Sequence, residues 1–196
     1  MNTTLELAGV ALAALLSENL VLVTCMGIGT HTGSFAEPRE AIRTGSCLTV
    51  VMVLSVLLAW LLNYFVLTRF GLEYLRVLAF SLLVPALVAG LRRFLSACIP
   101  ELSRRMDENL ASVSTNCAAL GSVLLVVQRS YGLGSAMIFA LCGGVGATLA
   151  LASFASLQKE VDLNRCPRAF RGLPIQLITA GLMAMALMGY YGLYLE

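Results

Sequence analysis

The chain has 196 residues and a net charge of +2; 59% of its residues are hydrophobic, only 12% are charged, and its mean hydropathy is +0.86. Soluble domains carry about 25% charged residues, so the composition excludes an ordinary water-soluble domain and describes an integral membrane protein. No basic run interleaved with aromatics is present, so nucleic acid is not an expected partner.

Six apolar segments follow one another, with approximate bounds Leu5–Gly27, Thr44–Leu67, Leu72–Leu91, Asn109–Val127, Leu133–Leu157 and Leu173–Leu195. Most approach the roughly 20 residues that a helix needs to span a bilayer. Only helices and closed barrels satisfy the backbone in lipid, and these runs lack the alternation of barrel strands. No Lys or Arg precedes the first segment and no small-residue cleavage site closes it, so it is expected to be a span and not a signal peptide. The fold class expected is an all-α integral membrane protein of six transmembrane helices, in one membrane domain covering 1–196.

Basic residues give the orientation. The loops after the first, third and fifth segments hold Arg39, Arg43, Arg92, Arg93, Arg104, Arg105, Lys159, Arg165, Arg168 and Arg171, and the opposite side holds only Arg69, Arg76 and Arg129. The positive-inside rule puts the first group in the cytoplasm and both termini outside.

Two segments are unlike ordinary spans. The first contains Glu18 and Asn19, then runs through Cys25, Gly27, Gly29 and His31; the fourth begins Asp107-Glu108-Asn109 and holds Ser114-Thr115-Asn116-Cys117. They open two three-segment halves, about 1–95 and 105–196, and three spans per half give the halves opposite directions. Interrupted segments at matching places are the sign of inverted-topology repeats with a midplane site. Glu18-Asn19-Leu20 and Glu108-Asn109-Leu110 repeat three letters.

The chemistry available is narrow. There is no C-x-x-C pair, no P-loop and no nucleophile elbow, and a single His and a single Lys leave little for acid–base catalysis. What remains is a cysteine in each interrupted segment, Cys25 and Cys117. A [2Fe–2S] centre normally takes four thiolates, so two from this chain make half a site and a second protein would supply the rest. Cys25 is either such a ligand or a small buried filler. Glu18 is either an ion-path carboxylate or a partner-bonded acid, since an unpaired charge in a span costs roughly 2.5–3.5 kcal/mol. Asn19 and Asn116 can satisfy the backbone groups of a broken helix, and Asp107 is a candidate cap for the fourth segment. His31 is a solvated loop residue or a substitute iron ligand. Gly143, Gly144 and Gly146 are expected to let helices approach closely, and Cys47, Cys98, Cys142 and Cys166 to be packing or loop thiols.

Ser114-Thr115-Asn116-Cys117-Ala118-Ala119-Leu120-Gly121 resembles the T-T-N-C-A-V-L-G stretch of the RnfA proteins of Rnf electron-transport complexes and their NqrE relatives in sodium-translocating NADH:quinone reductases. The resemblance continues through Tyr74-Leu75-Arg76-Val77-Leu78-Ala79-Phe80 and is densest from Phe170-Arg171-Gly172 through Leu177-Ile178-Thr179-Ala180-Gly181-Leu182-Met183 to Met188-Gly189-Tyr190-Tyr191-Gly192-Leu193. It implies a multi-pass component of a bacterial inner membrane, with termini outside. It further implies a [2Fe–2S] cluster shared near the midplane with a homologous, RnfE-like protein of opposite topology. The implied complex couples electron flow between ferredoxin and NAD to sodium or proton translocation. Its other components, like RnfB, RnfC, RnfD and RnfG, carry flavins and further clusters.

The departures from the family fall on the proposed site. The family's N-N-F-V-L-x-x-F-L-G-L-C-P-F-L-G stretch reads here from Glu18 to Gly33, and its ligand cysteine falls at Gly29. Cys25 lies one helical turn away, about 6 Å of rise. The expected metal ligands are therefore Cys25 and Cys117, with Glu18, Asn19, Gly27, Gly29, Thr115 and Asn116 as ion-path or supporting residues. The alternative is a divergent member without a cluster, serving as an ion- or solute-conducting component or an assembly scaffold.

Overall fold

A computed structural model describes residues 38–71, 73–98, 113, 116–163 and 173–191, and every regular element among them is helical. The chain is a multi-pass membrane protein: three described helices are long and apolar enough to cross a bilayer, Arg39–Leu67, Arg76–Phe94 and Leu133–Val161, and two shorter helices are also apolar.

Helix α1 (Pro38–Leu62) starts about two turns earlier than the apolar run that marks it. Pro38 pre-sets the first helical dihedral and Glu40 puts a carboxylate in the first turn, so polar residues extend the apolar core. The helix continues through a π turn, Asn63–Leu67, and a final turn, Thr68–Phe70, ended by Gly71 in the left-handed conformation at φ 64°. That glycine and a 3₁₀ turn at Glu73–Leu75 push the start of α2 to Arg76; α2 runs Arg76–Cys98 with Pro85 inside it. Helix α3 spans Cys117–Gln128, α4 spans Leu133–Leu163 and α5 spans Leu173–Tyr191. The first apolar segment lies outside the described residues.

The core is an antiparallel crossing of α1 and α4, the most extensive helix contact among the described residues. Two glycines set its closeness. A Cβ added to Gly45 would stand 2.9 Å from Thr148 Cα, and one added to Gly144 would stand 2.9 Å from Thr49 Cα. Each helix presents a glycine and, four residues on, a threonine, to the threonine and glycine of the other. Thr49 and Thr148 are 99 residues apart, as are Gly45 and Gly144. The same spacing relates the buried side chains: Ala41, Leu48, Val51, Met52 and Val56 in α1 match Ala140, Ala147, Ala150, Leu151 and Ala155 in α4.

The threonine hydroxyls are half-buried in the crossing and bond within it. Thr49 Oγ1 reaches the Gly45 carbonyl at 2.9 Å, Thr148 Oγ1 reaches the Gly144 carbonyl at 2.8 Å, and the two hydroxyls lie 3.2 Å apart. Two protons serve three possible bonds, so two are made at any moment and one of them can link the helices.

At one end of the crossing the Trp60 indole N–H donates to the Tyr131 carbonyl at 3.3 Å, tying the end of α1 to the α3–α4 turn. Trp60 stacks on Tyr64 with ring centroids 5.4 Å apart, and Tyr131 packs on Phe139. Antiparallel packing carries Arg39 and Arg43 to the opposite end, which is also where α4 bears Lys159. Helix α3 packs against α1, while α2 inserts Phe80, Val84 and Val88, spaced four residues apart, into the same core. Leu82, Val77 and Leu78 of α2 and Leu177, Leu182 and Met185 of α5 stay exposed on the outside of the bundle.

Replacing Gly144 with Val is expected to lower the stability of the detergent-solubilised chain by about 1–3 kcal/mol, because backbone and not a flexible tip is met. Gly90→Ala, which meets nothing within 4 Å, is expected to cost nothing. Thermal unfolding of both variants checks this; equal midpoints would contradict the close crossing.

Candidate functional site at an interrupted helix

The helix described within the fourth apolar segment after Asn116 is half-length. Helix α3 begins only at Cys117, and the backbone of Asn116 is extended at φ −79°, ψ 115°. Twelve residues rise about 18 Å, too little to cross a hydrocarbon core of about 30 Å. The far end of α3 reaches the turn held by Trp60. Counting back from that end, Cys117 lies about 18 Å away along the helix axis.

A helix start inside lipid leaves amide protons unpaired, each costing several kcal/mol without a partner. Asn116 answers this locally. Its side-chain oxygen accepts from the Ala118 N–H at 3.0 Å, and its own N–H donates to the Val113 carbonyl at 3.1 Å. Asn116 is 2% exposed and Val113 fully buried. The expected backbone role for Asn116 is therefore seen in α3. Asp107, expected as a cap, lies outside the described residues.

Beyond the cap, Ala118, Ala119, Gly121 and Ser122 are all buried. Their small size lets the first turns of α3 press against the bundle, and the Ser122 hydroxyl donates to the Ala119 carbonyl at 2.8 Å. Cys117, by contrast, is exposed. The segment thus holds its capping amide inside and presents its thiol outward, at the positive end of a helix where a bound anionic group gains about 0.3–1 kcal/mol.

Of the other expected site residues, Glu18, Asn19, Cys25, Gly27, Gly29, His31 and Thr115 lie outside the described residues. Among the described residues no group of three or more His, Cys, Asp or Glu side chains could hold a metal ion. Cys47 is buried in the core and Cys142 half-buried in α4, as expected of packing thiols. Gly144 has the close-approach role expected of it. Sequence reasoning passed over its counterpart Gly45, the two threonines, and the Trp60–Tyr131 tie. The glycine-to-threonine spacing of four, repeated 99 residues on, was the available signal.

A family model described as "Rnf-Nqr subunit, membrane protein" matches residues 7–194. The chain belongs to the Rnf-Nqr family. Its relatives include the A component of the ion-translocating oxidoreductase complex of Syntrophotalea carbinolica, 39% identical over 184 residues that cover 94% of this chain and 95% of the relative. The protein of the same name from Pectobacterium atrosepticum is 37% identical over 188 residues, covering 96% and 97%. That from Azoarcus sp. is 34% identical over 182 residues, covering 93% and 94%. The family match to this Rnf-Nqr chain spans helix α3 and its cap.

The contrast between the thiols is measurable in single-cysteine variants of the Rnf-Nqr chain. A membrane-permeant maleimide is expected to label the variant retaining Cys117, which is exposed, on the order of tenfold faster than the one retaining Cys47, which the core covers. Equal rates would contradict the outward presentation of Cys117.

Proposed function

We propose that this chain is the RnfA-type component of an ion-translocating oxidoreductase complex, and that it passes electrons across the membrane through a [2Fe–2S] cluster shared with a homologous protein of opposite topology. The observation that carries the reading is the exposed Cys117 at the start of a half-length helix within an apolar segment. A thiol facing away from its own chain near the bilayer middle is what one ligand of a shared centre requires. The relatives' names support the complex and its redox-driven ion movement.

The residues present fit one side of such a group. Cys117 would hold it as a thiolate, and Cys25 is the first-half candidate. When bound, the cluster supplies a one-electron carrier. Asn116 fixes the backbone that aims Cys117, and the buried small residues Ala118, Ala119 and Gly121 hold the half-helix against the bundle so that the thiol keeps its position.

The wider architecture proposed is six helices in two inverted three-helix repeats, with both termini outside and the complex in the inner membrane. The 99-residue spacing that relates the glycine, threonine and buried apolar positions of α1 and α4 supports two equivalent halves, since these are the second helices of each half. The shared end for Arg39, Arg43 and Lys159 agrees with the positive-inside orientation. The partners proposed are an RnfE-like protein, with others like RnfB, RnfC, RnfD and RnfG that carry flavins and further clusters.

A second reading, a divergent member without a cluster that conducts an ion or solute or serves assembly, rests on Gly29 standing where the family has its first-half cysteine. Iron, acid-labile sulfide and the EPR spectrum after reduction separate the two. The complex is purified anaerobically as wild type, Cys117→Ser and Cys25→Ser. The shared-cluster reading expects a [2Fe–2S] signal that both substitutions remove. A signal unchanged in Cys117→Ser would sink the ligand assignment, and iron-free wild type would establish the second reading.

A further inference from the structure

Helix α2 carries a proline at the centre of its span: Pro85 is the tenth of the 19 residues of Arg76–Phe94. A proline nitrogen has no proton, so the Ser81 carbonyl, four residues earlier, lacks its intrahelical donor. The hydroxyl of the same residue does not replace that donor, because Ser81 Oγ donates to the Leu78 carbonyl at 2.9 Å. No side chain among the described residues donates to the Ser81 carbonyl. Acyl chains carry no donor either, and a carbonyl freed by proline within a span calls for a partner that does.

The face that carries this carbonyl turns away from the chain's own core. Phe80, Val84 and Val88 point inward, whereas the neighbouring row, Ser81, Pro85 and Ala89, is exposed. Of the three long apolar helices, this one is the least buried. Beyond Leu82, which is 67% exposed, the outward residues Ala86 and Gly90 are small, and a Cβ added to Gly90 meets nothing within 4 Å. Small residues let a second helix come close enough to reach a backbone atom. Arg93 continues the row two turns past Pro85 and is exposed as well.

We propose that this face of α2 docks a transmembrane helix of another component of the complex, one that donates a side-chain hydrogen bond to the Ser81 carbonyl and sets an acidic group beside Arg93. Ser81 and Arg93 are twelve residues apart, about 18 Å along the axis, so a helix lying alongside meets both when its donor and its acid have the same separation. Lipid meets neither need at mid-span. A second copy of this chain packed in parallel through the same face would set Arg93 beside Arg93, which like charge disfavours. The proposal rests on the proposed membership of a complex and not on the cluster.

Photo-crosslinking in the assembled complex tests it. A diazirine side chain replaces Leu82, and the complex is isolated from membranes through a tag on this chain. The expected product joins this chain to a membrane helix of a different component. Pro85→Ala returns an N–H to the Ser81 carbonyl and favours the helix, so it does not compromise folding. It is nevertheless expected to lower the crosslink yield about threefold, the loss of one interhelical hydrogen bond. Arg93→Gln is expected to lower the yield as well, and Arg93→Lys to retain most of it. Components that co-isolate while Leu82 crosslinks only to lipid, to a second copy or to the first apolar segment of this chain would overturn the docking face alone. An unchanged yield in Pro85→Ala would overturn the carbonyl as its anchor. If no component co-isolates, the membership fails and the docking face with it.

Discussion

The structure depends on one close approach, that of Gly45 and Gly144 to the threonines of the opposite helix. In lipid there is no hydrophobic gain from pressing two apolar helices together, so dispersion contacts and interhelical hydrogen bonds must hold them. Absent side chains at the two glycines bring the backbones close enough for the Thr49 and Thr148 hydroxyls to reach each other at 3.2 Å. With that distance fixed, the antiparallel register of α1 and α4 is fixed as well. The Trp60 bond to Tyr131 then sets where the α3–α4 turn must lie. Helix α3 hangs from this turn, and its length decides how deep Cys117 sits.

A helix that starts in the middle of a membrane is tolerable only when its first amides are satisfied without water. Asn116 does this with its own side chain and backbone, while the alanines and glycine that follow seal the inner face. The arrangement separates two jobs between neighbouring residues. Asn116 points in and stabilises the break; Cys117 points out, where it can meet a group beyond its own chain. A continuous helix there would save the capping requirement but would lose the helix N-terminus beside Cys117, near which a negatively charged group is favoured. The chain belongs to the Rnf-Nqr family, and its named relatives are components of ion-translocating oxidoreductase complexes.

Much of this was legible in the sequence. Composition and segment lengths gave the membrane class, and the polar letters Ser114-Thr115-Asn116-Cys117 marked the interruption because such residues in lipid demand partners. The start of α1 was less visible: Pro38-Arg39-Glu40 is polar, and hydropathy registers burial in lipid but not capping chemistry. The shift of α2 to Arg76 arose from the left-handed Gly71, a backbone preference that leaves no hydropathy trace. The π turn at Asn63–Leu67 is likewise invisible to periodicity, since it adds one residue to a turn that stays apolar. The Gly45–Thr148 contact joins residues far apart in the chain; its signal was the recurrence of a glycine-to-threonine step, not either step alone.

The depth of Cys117 is the most direct test, because the shared-centre reading requires the thiol to be inside the hydrocarbon. A nitroxide attached to Cys117 in an otherwise cysteine-free chain, reconstituted in nanodiscs, reports its depth through collision rates with oxygen and with a water-soluble nickel chelate. High oxygen and low nickel accessibility, matching a label at Val50 on the exposed face of α1, is the predicted result. A label that nickel reaches as readily as one at Tyr74, which is 99% exposed just before α2, would put the half-helix start at the water interface and contradict the account.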